Sequence, residues 1–224
     1  ERIWKQHTQV HVFLSHFHLD HLVGIPMSRM LFDETAEVIF YAQDGDQIRE
    51  AFGQMMSAPL WPVGPEAFRA KISYRSVGER PVILDDRSDS RNGIAPVKIS
   101  AMQVAHPGGA TAFRADWKDL SMVYATDCDL DGEAVCGLAD FARETDLLIL
   151  DAQYTDAEYE KCRGFGHSSI RMASQLIAQS HAKRGRLFHH APDHTDTQML
   201  ELERQLQQYQ EHISFAREGE RIII

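Results

Sequence analysis

A short run near the N-terminus concentrates side chains that bind metals. Three histidines and one aspartate fall within six residues, directly after an apolar stretch: His16, His18, Asp20 and His21. Neutral imidazole and carboxylate are natural ligands of zinc and similar ions. In an extended or looping segment His16 and His18 point the same way and can hold one metal, whereas Asp20 and His21 lie past a bend and can face a second. The alternative is a surface cluster of histidines that has this spacing by chance.

Two metals need more ligands than one loop supplies, and further candidates follow later predicted strands. His106 is followed by a proline and two glycines, which let the backbone approach closely. Asp127 ends an apolar strand, where a carboxylate can bridge two metals. His189 and His190 follow a short strand, and because adjacent strand residues face opposite sides, only one of them is expected to reach the site. The alternatives are a turn histidine at 106 and a helix N-cap or turn aspartate at 127.

The elements that must position these residues alternate between strands and helices. Strands are predicted at 10–14, 37–41, 68–77, 97–104, 111–117, 121–125, 146–150, 186–188 and 221–224, and helices at 45–56, 133–143, from 155, 168–181 and 195–212. An irregular loop is predicted at 57–66 and a polar turn at 85–93. Thr155 with Glu158, and Thr195 with Gln198, have capping-box spacing at a helix start. The pattern predicts one layered α/β domain over 1–224.

Composition narrows the classes of partner. The formal net charge of the 224 residues is −10 and no basic cluster occurs, so a long nucleic acid is not expected and a small-molecule substrate is. Three cysteines without framework spacing favour a reducing compartment, hence a cytoplasmic location. No apolar run is long enough to span a bilayer and no leader is evident, so no membrane partner is expected. Homo-oligomerisation is left open.

The order and kind of these ligands resemble those of the metallo-β-lactamase superfamily. The resemblance rests on the His-x-His-x-Asp-His run, the later lone histidine, the strand-terminal aspartate and the final histidine, and it extends from His16 to His189. It implies a four-layer αββα sandwich with the metals at one edge between two sheets. Only 15 residues precede His16, so the first N-terminal strands of that fold are expected to be missing from this chain.

The resemblance also implies a division of labour among the ligands. His16, His18 and His106 would hold the first metal, and Asp20, His21 and His189 the second, with Asp127 bridging. His189 is preferred to His190 because the family's last ligand comes two residues after a strand-ending leucine, here Leu187. Two divalent ions are expected as cofactors, with zinc favoured and manganese or iron also compatible with these ligands.

Differences between these ligands and those of other members of the superfamily exclude some of its branches. The diiron oxygen-reducing members have glutamate where His18 stands, which disfavours redox iron chemistry here. The true β-lactamases lack the equivalent of His21 and use a cysteine ligand. Cys128 lies next to Asp127, and we interpret it as a bystander that behaves as a small apolar residue.

Two further residues resemble the ribonuclease Z branch. Asp151 ends an apolar strand, and His167 opens the next long helix. In that branch the carboxylate orients the imidazole, which protonates the leaving oxygen, and a leaving alkoxide needs such a proton. The alternative makes Asp151 a structural hydrogen-bonding residue and His167 a helix-start residue. The long glycine-rich and basic arm with which those enzymes grip transfer RNA is missing from this sequence.

The sequence therefore predicts a metal-dependent hydrolase. Two metals activate a water molecule, and the favoured substrate is a small phosphodiester such as a cyclic nucleotide. The predicted catalytic residues are Asp20, which orients the nucleophile as well as binding metal, and the pair Asp151 and His167. The first alternative is a lactonase or thioesterase on the same two-metal site. The second is a sensor or scaffold that binds metals without catalysis.

Overall fold

The computed structural model describes residues 9–85, 95–132 and 134–224. The chain divides into two compact units, Glu1–Arg80 and Pro81–Ile224. A single domain over 1–224 stays a prediction. Most of the predicted polar turn at 85–93 and the first residue of the helix predicted at 133–143 lie outside the described residues. Within the described part of the chain, no helix combines the length and the apolarity that a membrane span needs.

The first unit contains a parallel sheet of three strands in the order β1-β2-β3. The strands are β1 (Gln9–Phe13), β2 (Glu37–Ala42) and β3 (Lys71–Ser76); the helices are α1 (Leu19–Leu22) and α2 (Gly45–Met55), with 3-10 turns at Ile25–Met27, Arg29–Phe32 and Pro65–Ala67. The central strand β2 is almost wholly buried, as expected for a parallel strand covered on both faces. Helix α2 is capped by Asp44 and buries Ile48 and Phe52, one turn apart.

The second unit is built on a seven-stranded sheet in the order β10-β9-β8-β7-β6-β5-β4. Its strands are β4 (Val82–Leu84), β5 (Val97–Val104), β6 (Ala110–Trp117), β7 (Leu120–Ala125), β8 (Leu147–Asp151), β9 (Gly185–Phe188) and β10 (Ile213–Phe215); its helices are α3 (Ala134–Phe141), α4 (Asp156–Cys162), α5 (Ile170–Ser180) and α6 (Asp196–Gln207). Strands β4 to β7 pair antiparallel, and β7 to β10 pair parallel.

This strand order brings the carboxyl ends of the strands that precede the candidate residues to one edge of the sheet. Two successive antiparallel pairings, β5 with β6 and β6 with β7, give β5 and β7 the same direction. Strands β8 and β9 run parallel to β7. The carboxyl ends of β5, β7, β8 and β9 therefore lie at the same edge of the sheet, where ligands of α/β proteins usually bind.

The sequence signals of the helices are confirmed. Capping boxes occur at Thr155 with Glu158 and at Thr195 with Gln198. The predicted apolar face of α5 is buried: Ile170, Ala173, Leu176 and Ile177 lie in a cluster with the apolar side chains of β8 and β9. Because α5 follows directly after residue 169, this packing also anchors the segment that carries His167.

The predicted C-terminal elements are wrong. The last helix ends at Gln207 rather than near 212, and the last described strand is β10, not 221–224. Ile213 and Phe215 are buried beside β9, whereas Ile223 is 87% exposed. An apolar run becomes a strand only where a sheet edge can receive it, and here the earlier, shorter run takes that edge. The short strand β4 was not predicted.

Candidate active site

The first group of candidate ligands lies between β1 and α1. His16 is buried, and His18 occupies the extended position before the first helical residue of α1. His16 Nε2 lies 3.0 Å from His18 Nδ1, and His16 Nδ1 lies 3.1 Å from Ser15 Oγ. Two ring nitrogens at this separation converge on one point, an arrangement typical of imidazoles that share a cation.

Asp20 and His21 belong to α1 itself rather than to the loop that the sequence suggested. Asp20 Oδ2 lies 3.2 Å from His21 Nε2. The ring of His21 lies 4.3 Å from that of His16, centroid to centroid. The helical turn is closed by the Val23 amide, which donates to the Leu19 carbonyl at 2.8 Å. This turn brings His21 back beside His16, so the first unit places all four predicted ligands in one chain of contacts.

The second group lies at the common strand edge of the second unit. Asp127 Oδ1 lies 3.0 Å from His189 Nε2, and His167 Nδ1 lies 2.9 Å from Asp151 Oδ2. One donor atom from each of these four residues lies within 4.8 Å of the other three. Carboxylate and imidazole are the donor types that a divalent transition metal prefers, and of these four residues Asp127 and His189 are the predicted ligands, whereas Asp151 and His167 are the predicted acid pair.

Two residues of this group have left-handed backbones. Asp127 has φ of 49° and His189 has φ of 62°, a region that is uncommon for residues other than glycine. Each follows the end of its strand by one or two residues. The Asp127 amide donates to Asp151 Oδ2 at 3.2 Å, which holds the first of these turns. Strained backbone conformations of this kind concentrate at functional sites, where they direct a side chain towards a required position.

Asp151 is the buried anchor of the group. It ends β8 and accepts hydrogen bonds from the Ser168 amide at 2.8 Å and from His167 Nδ1 at 2.9 Å. Burial raises the pKa of Asp151, and the hydrogen bond with His167 opposes that shift. Because His167 donates through Nδ1, its Nε2 is the nitrogen that can exchange a proton with a ligand. The pair therefore has the geometry of an oriented acid or base.

His106 is held by a contact that sequence analysis did not identify. Its Nδ1 donates to the Gly166 carbonyl at 2.9 Å, which makes Nε2 the lone-pair nitrogen. Gly166 has φ of 91°, and a Cβ there would lie 2.2 Å from Pro107 Cδ and 2.3 Å from His106 Nδ1. Only glycine fits this position. The two glycines that flank Phe165 were the signal in the sequence.

His190 faces different surroundings from His189. Its Nδ1 donates to the Ala152 carbonyl at 3.1 Å, and its ring packs against Phe215 at 4.6 Å between centroids. Burial lowers the pKa of His190. The expected separation of the two neighbours thus arises from the left-handed turn at His189, because β9 ends at Phe188 and strand alternation no longer applies.

Cys128 is buried beside Asp127. Its Sγ lies 3.7 Å from the Ala125 carbonyl, and burial raises the pKa of the thiol. A thiol with a raised pKa stays protonated at neutral pH, and the thiolate is the form that binds metals. The geometry suits the interpretation of Cys128 as a bystander, which stays a prediction.

Comparisons with known sequences match most of the chain to one family. A family model described as "Beta-lactamase superfamily domain" matches residues 3–190. A ribonuclease Z from Thermoplasma acidophilum is 40% identical over 75 residues, which are 33% of this chain and 24% of that protein. The match therefore spans about a quarter of the length of this relative.

Solved structures resemble the whole chain at lower identity. The human tRNase Z, short form, matches with a TM-score of 0.62 and 22% identity, covering 97% of this chain and 79% of the other. A diphosphatase from the PhnP family matches with a TM-score of 0.68 and 18% identity, covering 98% and 74%. At these identities the likeness establishes a shared fold and leaves the activity to be argued from the residues.

Proposed function

This chain belongs to the metallo-β-lactamase superfamily, and from that premise we propose that it is a metal-dependent hydrolase of a small phosphodiester such as a cyclic nucleotide. The predicted α/β fold of this family is confirmed by the family match and the solved structures. The observation that carries the proposal is the hydrogen bond between Asp151 and His167, beside Asp127 and His189. An acid oriented next to metal-binding side chains is what the departure of an alkoxide requires.

Seven residues are the proposed metal ligands, as the resemblance implies. They are His16, His18, Asp20 and His21 of the first unit and His106, Asp127 and His189 of the second. The fit of these residues to a metal rests on converging donor atoms, such as Asp127 Oδ1 and His189 Nε2 at 3.0 Å. Two bound divalent ions would activate a water molecule and offset the charge of the phosphoryl oxygens. Zinc is the proposed ion, and manganese and iron accept the same donors.

The proposed acid is His167. The Asp151 carboxylate holds the imidazole by its Nδ1, and Nε2 gives its proton to the oxygen of the departing alcohol. The Ser168 amide fixes the other carboxylate oxygen, so the orientation of the pair is set by backbone as well as by packing. Asp20 is proposed to orient the attacking water in addition to its role as a ligand.

The charge of the protein supports a small substrate. One relative is named a ribonuclease and one similar solved structure a diphosphatase. A net charge of −10 without a basic cluster opposes the binding of a long polyanion such as transfer RNA. A small phosphodiester needs charge compensation only at its one phosphate, which bound metals would supply.

A substrate panel tests this proposal. Protein stripped with a chelator and reloaded with zinc or manganese should hydrolyse cyclic nucleotides and simple phosphodiesters faster than it hydrolyses a thioester or a lactone. The metal-free protein should be inactive on all of them. Turnover of the acyl substrates alone would establish the lactonase or thioesterase alternative. Full metal content with no turnover of any substrate would favour a sensor or scaffold.

A pair of histidine variants tests the choice of ligand. We expect His189→Ala to lose metal and most activity, because His189 Nε2 lies 3.0 Å from Asp127. His190→Ala is the matched control and should keep its metal, since the His190 ring packs against Phe215. Elemental analysis of dialysed protein measures both. A larger metal loss in His190→Ala than in His189→Ala would show that the choice is wrong.

A further inference from the structure

The loop between α4 and His167 presents an exposed aromatic side chain. Phe165 is 63% exposed, and it is flanked by Gly164 and Gly166, with φ of 85° and 91°. The Phe165 amide donates to the Cys162 carbonyl at 3.0 Å. The Gly166 carbonyl accepts from His106 Nδ1 at 2.9 Å. The backbone around Phe165 is thus attached on both sides, and its side chain is exposed at the surface.

The positively charged side chain of the same loop, Arg163, already forms ion pairs with carboxylates. Arg163 forms ion pairs with Asp131 at 2.7 Å and with Glu160 at 3.0 Å. Its guanidinium also lies over the Tyr159 ring, 5.1 Å from the centroid. A phosphate recognised by this loop would have to displace these carboxylates. The loop therefore offers a ligand an aromatic surface rather than a charge.

The position of the acid defines where the departing alcohol lies. A proton donor must come within about 2.6–3.2 Å of the oxygen that it protonates. The carbon atoms attached to that oxygen then lie within a few bond lengths of the His167 ring. Phe165 precedes His167 by two residues, and the Tyr154 ring lies edge-on to the His167 ring at 6.1 Å between centroids. The Tyr154 ring therefore lies beside the acid, and Phe165 is close to it in the chain.

Single exposed apolar residues are common on protein surfaces and need no explanation by themselves. Phe165 differs because its loop is tied to the proposed ligand His106 and leads directly into the proposed acid. We propose that Phe165 stacks on an aromatic ring or nucleobase of the departing alcohol, so that the enzyme prefers phosphodiesters whose leaving group carries such a ring. This inference rests on the proposed function and names the substrate class of that site.

The stacking is tested with two phosphodiesters that differ only in the ring of the leaving alcohol. Both carry one methyl group, and the other alcohol is benzyl alcohol in one and cyclohexylmethanol in the other. In each, water attacks phosphorus, the bond from phosphorus to the larger alcohol breaks, and His167 supplies the proton of the released alcohol. Chromatography of that alcohol gives kcat/KM for each substrate with the metal-loaded enzyme.

Phe165→Ala should lower kcat/KM on the benzyl diester by about ten- to a hundredfold, the range that alanine substitution produces for base stacking. The cyclohexylmethyl diester should change less, because a saturated ring keeps only apolar contact with the side chain and has no π face to stack. Phe165→Trp should retain the preference. The control is Tyr209→Ala, which removes an aromatic ring that is 86% exposed in the turn after α6 and should leave both rates unchanged.

The possible outcomes distinguish a failure of the stacking inference from a failure of the proposed function. The stacking inference alone is overturned if both proteins, Phe165→Ala and the unchanged one, hydrolyse both diesters and show the same preference for the benzyl diester. An equal loss on both substrates also overturns it, since the side chain would then support the loop rather than select the ring. No hydrolysis of either diester by metal-loaded, unchanged protein that does hydrolyse a cyclic nucleotide overturns this inference alone, whereas no hydrolysis of any phosphodiester overturns the proposed function and this inference with it.

Discussion

His167→Ala should slow hydrolysis of a phosphodiester with a poor alkoxide leaving group by roughly 10²- to 10⁴-fold, the usual contribution of a general acid. The reason is the hydrogen bond of His167 Nδ1 to the buried Asp151, which leaves the opposite ring nitrogen for the proposed transfer of a proton to the departing oxygen. A nitrophenyl ester should lose far less, because nitrophenolate departs without a proton. The ratio of the two losses, measured as kcat/KM, is the expected signature.

Two further variants test the pair as a unit. Asp151→Asn keeps the size of the side chain and should show the same leaving-group pattern more weakly. The double variant should be little worse than His167→Ala alone, because residues that act together are not additive. Metal content should stay unchanged in all three. Equal impairment on both leaving groups would leave His167 with a positioning or structural role and remove the main support for a phosphodiester substrate.

Asp127→Ala should abolish most activity by depleting both metals. A bridging carboxylate serves both ions, so its loss should reduce both occupancies. Elemental analysis after dialysis measures the content. Zinc added to metal-free protein should raise the melting temperature of the unchanged chain more than that of the variant, since a ligand that binds only the folded state stabilises it.

An exposed aspartate gives the control for this experiment. Asp140→Ala, on α3, removes a carboxylate from the surface, where it pairs with Arg143, two residues beyond the end of that helix. It should keep full metal content and the full zinc-induced rise in melting temperature. If Asp127→Ala binds as much metal as Asp140→Ala, Asp127 is not a ligand. If it loses one ion and keeps the other tightly, Asp127 binds one metal without bridging.

Local sequence determined the elements and the side chains that they deliver. The capping boxes of α4 and α6 and the apolar face of α5 depend on contacts within a few residues, so their patterns were sufficient. The same holds for the polar residues that follow apolar strands, such as Asp127 and Asp151. An apolar run bounded by polar residues favours a buried strand, and a charged residue at its end is expected near the end of that strand.

Strand pairing was decided only by the tertiary structure. The run at 221–224 has the composition of a strand, yet Ile223 is 87% exposed, and the shorter run of β10 pairs with β9 instead. β-propensity expresses how well a side chain fits a half-buried surface, and that surface is built by other parts of the chain. The sequence of an apolar run does not by itself reveal which sheet edge is available to pair with it.

The geometry of the site also required the tertiary structure. The left-handed turns at Asp127 and His189 give only a weak signal in residue type, because neither is glycine, although aspartate and histidine adopt this region more often than most residues. His106 meets the Gly166 carbonyl across 60 positions of sequence, and His167 meets Asp151 across 16. Hydrogen bonds between residues so far apart form only after the sheet has brought the ends of its strands together. The sequence by itself therefore determined which residues are candidates for the chemistry, and the sheet decided which of these candidates touch.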